Sequence, residues 1–282
     1  VSDTPLWQLE AEGPETEIYA AAETLGFLDK MEALSLSVFE TGPGTARLEA
    51  GYGSEAEAKA ASEQIALPSS FHQLPATDWV REVQRHLAPV IAGRFTLYGS
   101  HDRDSVKAKI GIEVEAGPAF GSGHHPTTRG CLEVFDRLLS EGLNPARVLD
   151  VGCGTGVLAI AAALTTDADI LASDIDPDAV EVTEATATLN QAQLTAFQAD
   201  GMDDPRLLGP FDLIFANILA GPLRGLAPDI VKATGKGGLV ILSGLLNVQM
   251  EDVQAAYTAA GLHIKRAHAI DEWTTLLMQK PL

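Results

Sequence analysis

Asp150, Gly152, Gly154 and Gly156 alternate with other residues at the end of the apolar run Val148-Leu149, and another carboxylate, Asp174, ends the run Ile170-Leu171-Ala172-Ser173. The pattern reads as a buried strand entering a tight loop at the start of a helix, with glycines where a Cβ would strike a ligand. A carboxylate at the tip of the next strand, about twenty residues on, is placed to accept hydrogen bonds from both ribose hydroxyls of an adenosine-containing cofactor. The spacing narrows the choice. A dinucleotide fingerprint puts its third glycine five residues after its first, whereas Gly156 falls four after Gly152, and no Gly-Lys-Ser/Thr ending marks a phosphate loop. A carboxylate just ahead of the loop would repel a pyrophosphate but suits a ligand with a positive amino group. S-adenosyl-L-methionine, with an amino group, a sulfonium and no phosphate, fits better than NAD or ATP.

Asn217 ends the apolar stretch Phe211-Asp212-Leu213-Ile214-Phe215-Ala216. An amide at a strand's C-terminal edge faces the crevice where such sheets bind ligands, and it offers both donor and acceptor to an amine. The competing reading is a helix cap before Pro222. Ahead of the loop lies Phe120-Gly121-Ser122-Gly123-His124-His125-Pro126-Thr127-Thr128, where Thr127 or Thr128 can cap a helix carrying Val134, Phe135, Leu138 and Leu139. Free amides at that helix start would receive a carboxylate. Adjacent histidines seldom chelate one ion, so His124 and His125 read as loop anchors or cofactor packing and no metal is expected. Asp200 suits either an adenine amino group or a plain Asp-Gly turn with Gly201. Cys153 reads as packing and Asp176, before Pro177, as a helix cap.

These residues need a frame. Strands are expected at Val148–Val151, Ile170–Ser173, Thr195–Gln198, Leu213–Ala216 and Leu239–Leu242, with helices starting near Gly156, Asp178, Pro222 and Val248. That is an α/β, doubly wound, mainly parallel sheet. Ile264–Ile270 and Trp273–Met278 follow with no helix between them, so they close the sheet as an antiparallel hairpin, the arrangement typical of class I methyltransferases. The first part runs βαββαβ: strands at Leu6–Leu9, Leu34–Val38, Thr45–Ala50 and Phe71–Leu74, helices over Ile18–Leu25 and Glu55–Ile65. This is the split, ferredoxin-like α+β plan. Domains are expected at 1–74 and 105–282, joined by a linker over 75–104 that carries a helix at Asp78–Val83 and a strand at Phe95–Tyr98.

Of 282 residues, 46% are hydrophobic, which suits one large domain or a domain with a smaller partner. The net charge of −20 disfavours nucleic acid and anionic membrane and favours a basic partner, although it also serves solubility. Two cysteines make no disulfide framework. The first residues carry no basic-then-apolar leader, and no apolar run is long enough to cross a bilayer, so a soluble, cytoplasmic protein is expected.

The combination AFGSGHHPTTRGCLE, VLDVGCGTGVLAIAAA, SDIDPDAVE, FANILAGPLRGLAPDI and a Glu-Trp pair before a final apolar strand resembles the ribosomal protein L-eleven methyltransferase family. The resemblance covers roughly Glu115 to Lys280, and DWVREVQRHLAPVIAGRFTLYGS is similar to that family's linker. It implies a substrate domain flexibly joined to a methyltransferase core, and cofactor contacts from Thr128, Gly152, Asp174 and Asn217, beside those the loop suggests for Gly154. It also implies trimethylation of lysine side chains and an N-terminal amine on one large-subunit ribosomal protein. The chemistry expected is displacement by a neutral amine, aimed by Asn217 and nearby backbone rather than activated by a strong base. The alternatives are a methyltransferase for another protein lysine or a small amine, or a non-catalytic cofactor-binding, ribosome-associated module. An adenine methyltransferase would carry an aromatic platform after the asparagine, where this chain has Ile218-Leu219-Ala220.

Overall fold

The structure, a computed structural model, describes residues 7–26, 35–42, 44–73, 89–114 and 125–282. The chain divides into two compact units, Val1–Trp79 and Val80–Leu282.

In the first unit, β1 (Trp7–Pro14), α1 (Glu15–Gly26), β2 (Ser35–Gly42), β3 (Thr45–Tyr52), α2 (Glu55–Ser62) and β4 (Ser69–Gln73) follow the expected βαββαβ order. The sheet order is β2-β3-β1-β4, antiparallel throughout. Leu9, Ala11, Ile18, Leu25, Leu48 and Tyr52 fill its core. Strand β1 runs to Pro14 rather than stopping at Leu9, because Leu9 and Ala11 point inward while Glu10 and Glu12 stay on the wetter face. Helix α2 starts where Ser54 accepts from the Glu57 amide at 3.3 Å. It stops at Ser62, three residues short of the expected end. Leu6, Leu34 and Leu74, and the helix expected at 78–83, lie outside the described residues.

The first described strands of the second unit are β5 (Val90–Ala92), β6 (Phe95–Tyr98) and β7 (Ile110–Glu113), which form a three-stranded sheet. Of the expected linker, residues 89–104 therefore carry two strands, and Ala92, Phe95 and Leu97 join the second unit's core. Next come α3 (Pro126–Ser140), β8 (Arg147–Val151), α4 (Val157–Ala163), β9 (Asp169–Asp174), α5 (Pro177–Leu189) and β10 (Thr195–Gln198). The chain ends through β11 (Phe211–Asn217), α6 (Ala220–Ala233), β12 (Thr234–Leu246), α7 (Met250–Ala259), β13 (His263–Ile270) and β14 (Trp273–Gln279). The large sheet has the order β10-β9-β8-β11-β12-β14-β13, with β14 antiparallel to both neighbours. This is the class I methyltransferase sheet.

Helices cover both faces, so β8 and β11 are almost wholly buried and their side chains divide between two apolar clusters. Helix α4 (VLAIAAA) lies in one of these clusters, which is why it is apolar all round. The chain leaves β8 in one direction and β11 in the other. Between the C-terminal ends of those strands the fold opens a crevice.

Candidate active site

A cavity of about 770 Å³ occupies that crevice, within the range of roughly 300–1,000 Å³ usual for small-ligand sites. Asp150, Gly152, Asp174, Asn217, Thr128 and Trp273 are among its walls. The loop after β8 is hooked to β9, since the Gly152 and Cys153 amides both donate to the Ser173 carbonyl, at 2.8 and 3.0 Å. Asp174 is anchored in turn. Its Oδ2 accepts from the Gly154 amide at 2.9 Å and its Oδ1 from the Asp176 amide at 3.1 Å. Each carboxylate oxygen keeps a further lone pair for a ligand hydroxyl.

Asp150 lies beneath the loop, 1% exposed. Its Oδ2 accepts from the Ala159 amide at 3.1 Å, satisfying one of the unpaired donors of α4's first turn. Its Oδ1 is buried without a partner, as are Ser173 Oγ and Asn217 Oδ1. Desolvation, opposed by the Ala159 amide and aided by the nearby Asp174 charge, lifts the Asp150 carboxyl to about 7.

Asn217 closes β11, and its Nδ2 donates to Thr128 Oγ1 at 3.4 Å. It does not cap a helix; Leu219 holds that position for α6. The expected cap of α3 by Thr127 or Thr128 is also corrected. His125 is the N-cap, its Nδ1 accepting from the Thr127 amide at 3.4 Å and pairing with Thr127 Oγ1 at 2.7 Å. An imidazole Nδ1 reaches the same amide that a serine or aspartate oxygen would, and Pro126 takes the first helical position, where a missing N–H costs nothing. Thr128 is thereby left to face Asn217. The His125 ring packs edge-on against Trp273 with centroids 4.6 Å apart. Burial lowers the His125 pKa, against the opposing charge of Glu272, and favours the neutral imidazole that capping needs.

The remaining candidates divide. Asp200 lies on the cavity wall. Asp176 caps α5, accepting from the Asp178 amide at 2.9 Å. Burial pushes the Cys153 thiol up to about 12 and Thr183 Oγ1 donates to it at 3.2 Å, so it is a packing group at neutral pH. His124 lies outside the described residues. Ser173 and Trp273 also line the cavity without a strong signal in the sequence. Ser173 looked like the tail of a strand, and Trp273 was marked only by the Glu-Trp pair.

Residues 34–281 match the family model described as Ribosomal protein L11 methyltransferase (PrmA). The chain belongs to this family. It is 48% identical over 225 residues to the Ribosomal protein L11 methyltransferase of Bradyrhizobium diazoefficiens, covering 78% of this chain and 76% of that one. The protein of the same name from a Caulobacter species is 39% identical over 283 aligned positions, 97% of this chain and 98% of its own. Among solved structures, the ribosomal protein L11 methylase of Lactobacillus delbrueckii subsp. bulgaricus superposes with a TM-score of 0.62 at 26% identity, over 70% of this chain and all of that one. This methyltransferase uses S-adenosyl-L-methionine as its methyl donor. The cavity fits that donor: its walls hold unpartnered acceptors at Asp150 and Asn217, suited to a cationic, amine-bearing ligand, and a glycine backbone at its loop. Among the described residues no helix is long and apolar enough to cross a membrane.

Proposed function

We propose that this cytoplasmic enzyme methylates lysine side-chain and N-terminal amines of ribosomal protein L11, the substrate its relatives' names carry. The observation that supports it most is Asn217, an amide whose Oδ1 is buried without a partner in the wall that also holds the Asp174 carboxylate and the glycine loop. Asp174 would take the ribose hydroxyls of the donor, Gly152 and Gly154 would present backbone to it, and Thr128 supports the amide of Asn217. When bound, S-adenosyl-L-methionine supplies an electrophilic methyl on a positively charged sulfur.

A free lysine is almost wholly protonated at neutral pH, its pKa being about 10.4. Desolvation at the cavity lowers that value, and Asn217 Oδ1 accepts one N–H and so aims the lone pair at the methyl carbon. With the donor bound, the nitrogen would take the methyl as the sulfur leaves as a neutral thioether, and the surplus proton would pass from the nitrogen to water. Orientation rather than a strong base carries the rate.

The first unit supplies recognition in this reading. It is a ferredoxin-like module with 14 acidic against 3 basic residues in positions 1–79, a field that suits a lysine-bearing partner. The enzyme, the donor and purified ribosomal protein L11 should yield a stepwise rise in the intact mass of L11. An unchanged L11 mass, with a small amine methylated in its place, would overturn the assignment.

A further inference from the structure

We infer that Ile218 is the positioning residue for Asn217, acting as a wedge between Gly152 of the donor loop and Gly244 of β12. The inference deepens the function proposed above and rests on it for the role of Asn217.

Three observations converge. Asn217 pairs with Ser243 in the last register step between β11 and β12, and the β12–β14 register shifts between Leu242 and Leu245. Ser243 and Gly244 therefore sit in an irregularity of β12 that re-aims the backbone beside the cavity, a common device next to active sites. Gly244 has φ +85°, and a Cβ there would lie 2.2 Å from the Ile218 carbonyl oxygen, 2.7 Å from its carbon and 3.1 Å from its nitrogen. The backbone of Ile218 thus rests directly on Gly244. On the other side, a Cβ at Gly152 would lie 2.3 Å from Ile218 Cγ2. The Gly152 loop cannot retreat freely, because its amides are tied to Ser173.

The direct hold on Asn217 is weak by comparison. Its amide donates to Thr128 at 3.4 Å, near the limit for a hydrogen bond. What fixes the amide is its neighbour, whose backbone and side chain are clamped from two sides. Because one of those sides is the donor loop, the bulk of a single side chain sets the spacing between donor loop and amine acceptor. Ile218 is half-buried and packs against the margin of the apolar cluster beside β11 and β12, while Leu219 beyond it is 71% exposed.

The test compares Ile218→Ala with Ile218→Val in the full-length enzyme. Valine keeps the methyl that meets Gly152; alanine removes it. For Ile218→Ala, kcat on ribosomal protein L11 should fall by about tenfold to a hundredfold, the cost of a small misplacement at a reacting centre, while the Kd for S-adenosyl-L-methionine stays close to that of the wild type. Ile218→Val should recover most of the rate. In the ligand-free protein, the side-chain amide NMR signals of Asn217 should shift or broaden in the alanine variant and not in the valine one. Wild-type kcat in Ile218→Ala, equal impairment of both variants, or parallel losses in kcat and affinity with an unmoved amide signal would each overturn the wedge. If the wild type leaves L11 unmethylated, the proposed function fails, and the amide signals still decide the wedge.

Discussion

At the residue scale, the two carboxylates that line the cavity, Asp150 and Asp174, differ in environment and should differ in behaviour. Asp174 is half-buried and held by two backbone amides with lone pairs to spare. Asp174→Ala should weaken S-adenosyl-L-methionine binding by about 1.5–3 kcal/mol, the scale of charge-assisted hydrogen bonds, as measured by calorimetry. Asn217→Ala should instead lower kcat more than affinity, since orientation acts on the transition state; equal losses would make it a donor-pocket residue only. Asp150 has its carboxyl raised from 3.8 to about 7. Between those values the folded protein holds a proton that the unfolded chain has released. Asp150 therefore contributes stability that is full below about pH 4, declines as pH rises, and is gone above about 7. The stability difference between wild type and Asp150→Asn should follow that decline in urea titrations of the ligand-free protein, and a difference that stays constant from acid to neutral pH would disprove it. Asp150, Asp174 and Asn217 were legible because strand-end carboxylates and amides stand out after apolar runs. Ser173 was not, since a serine inside a strand carries no such contrast.

At the element scale, the parallel sheet was readable because strands buried on both faces are continuous apolar runs, and the closing hairpin because no crossover separates its strands. The ends of elements were harder. Strand β12 runs from Thr234 to Leu246, well beyond the expected Leu239–Leu242, since its flanks are rich in glycine and its partner β14 comes later in the chain. Strands β5 and β7 are three and four residues long and gain their meaning only from packing against α3 and the large sheet's core. The cap of α3 was missed because histidine is not a usual N-cap, and Trp273, its packing partner, is far away in sequence. His125→Ala should cost on the order of 1 kcal/mol, the usual worth of an N-cap, in a thermal or urea melt. The wild-type contribution should also depend on pH. Burial depresses the His125 pKa, so its stabilisation is full above the unfolded value of 6.5 and is lost as pH falls through the folded value. A His125→Ala deficit that is unchanged on acidification would remove the imidazole from the cap.

At the scale of the whole molecule, each hydrophobic cluster among the described residues draws on one unit alone. Leu9, Ile18, Leu48 and Tyr52 belong to a cluster drawn entirely from the first unit, while the two clusters flanking the large sheet draw entirely on residues from Val90 onward. The described residues that line the cavity, from His125 to Trp273, all belong to the second unit. Removing the first unit therefore takes away none of those residues and no described member of the second unit's clusters. A chain beginning at Val80 should fold and bind S-adenosyl-L-methionine with nearly the full-length Kd. Methylation is another matter. Positions 1–79 carry 14 of the 39 acidic residues and 3 of the 19 basic ones, so the truncation removes the more strongly acidic unit. If that unit recruits a lysine-bearing protein, its loss should raise KM for ribosomal protein L11 steeply or abolish the reaction. In the full-length enzyme, the same attraction should weaken as ionic strength rises and the Debye length shrinks to about 10 Å near 0.1 M salt. Two measurements on one truncated protein decide the division of labour: donor affinity by calorimetry, and L11 methylation by intact mass. Retained affinity with lost methylation is the expected pair. Full methylation by the truncated chain would place substrate recognition in the methyltransferase unit itself.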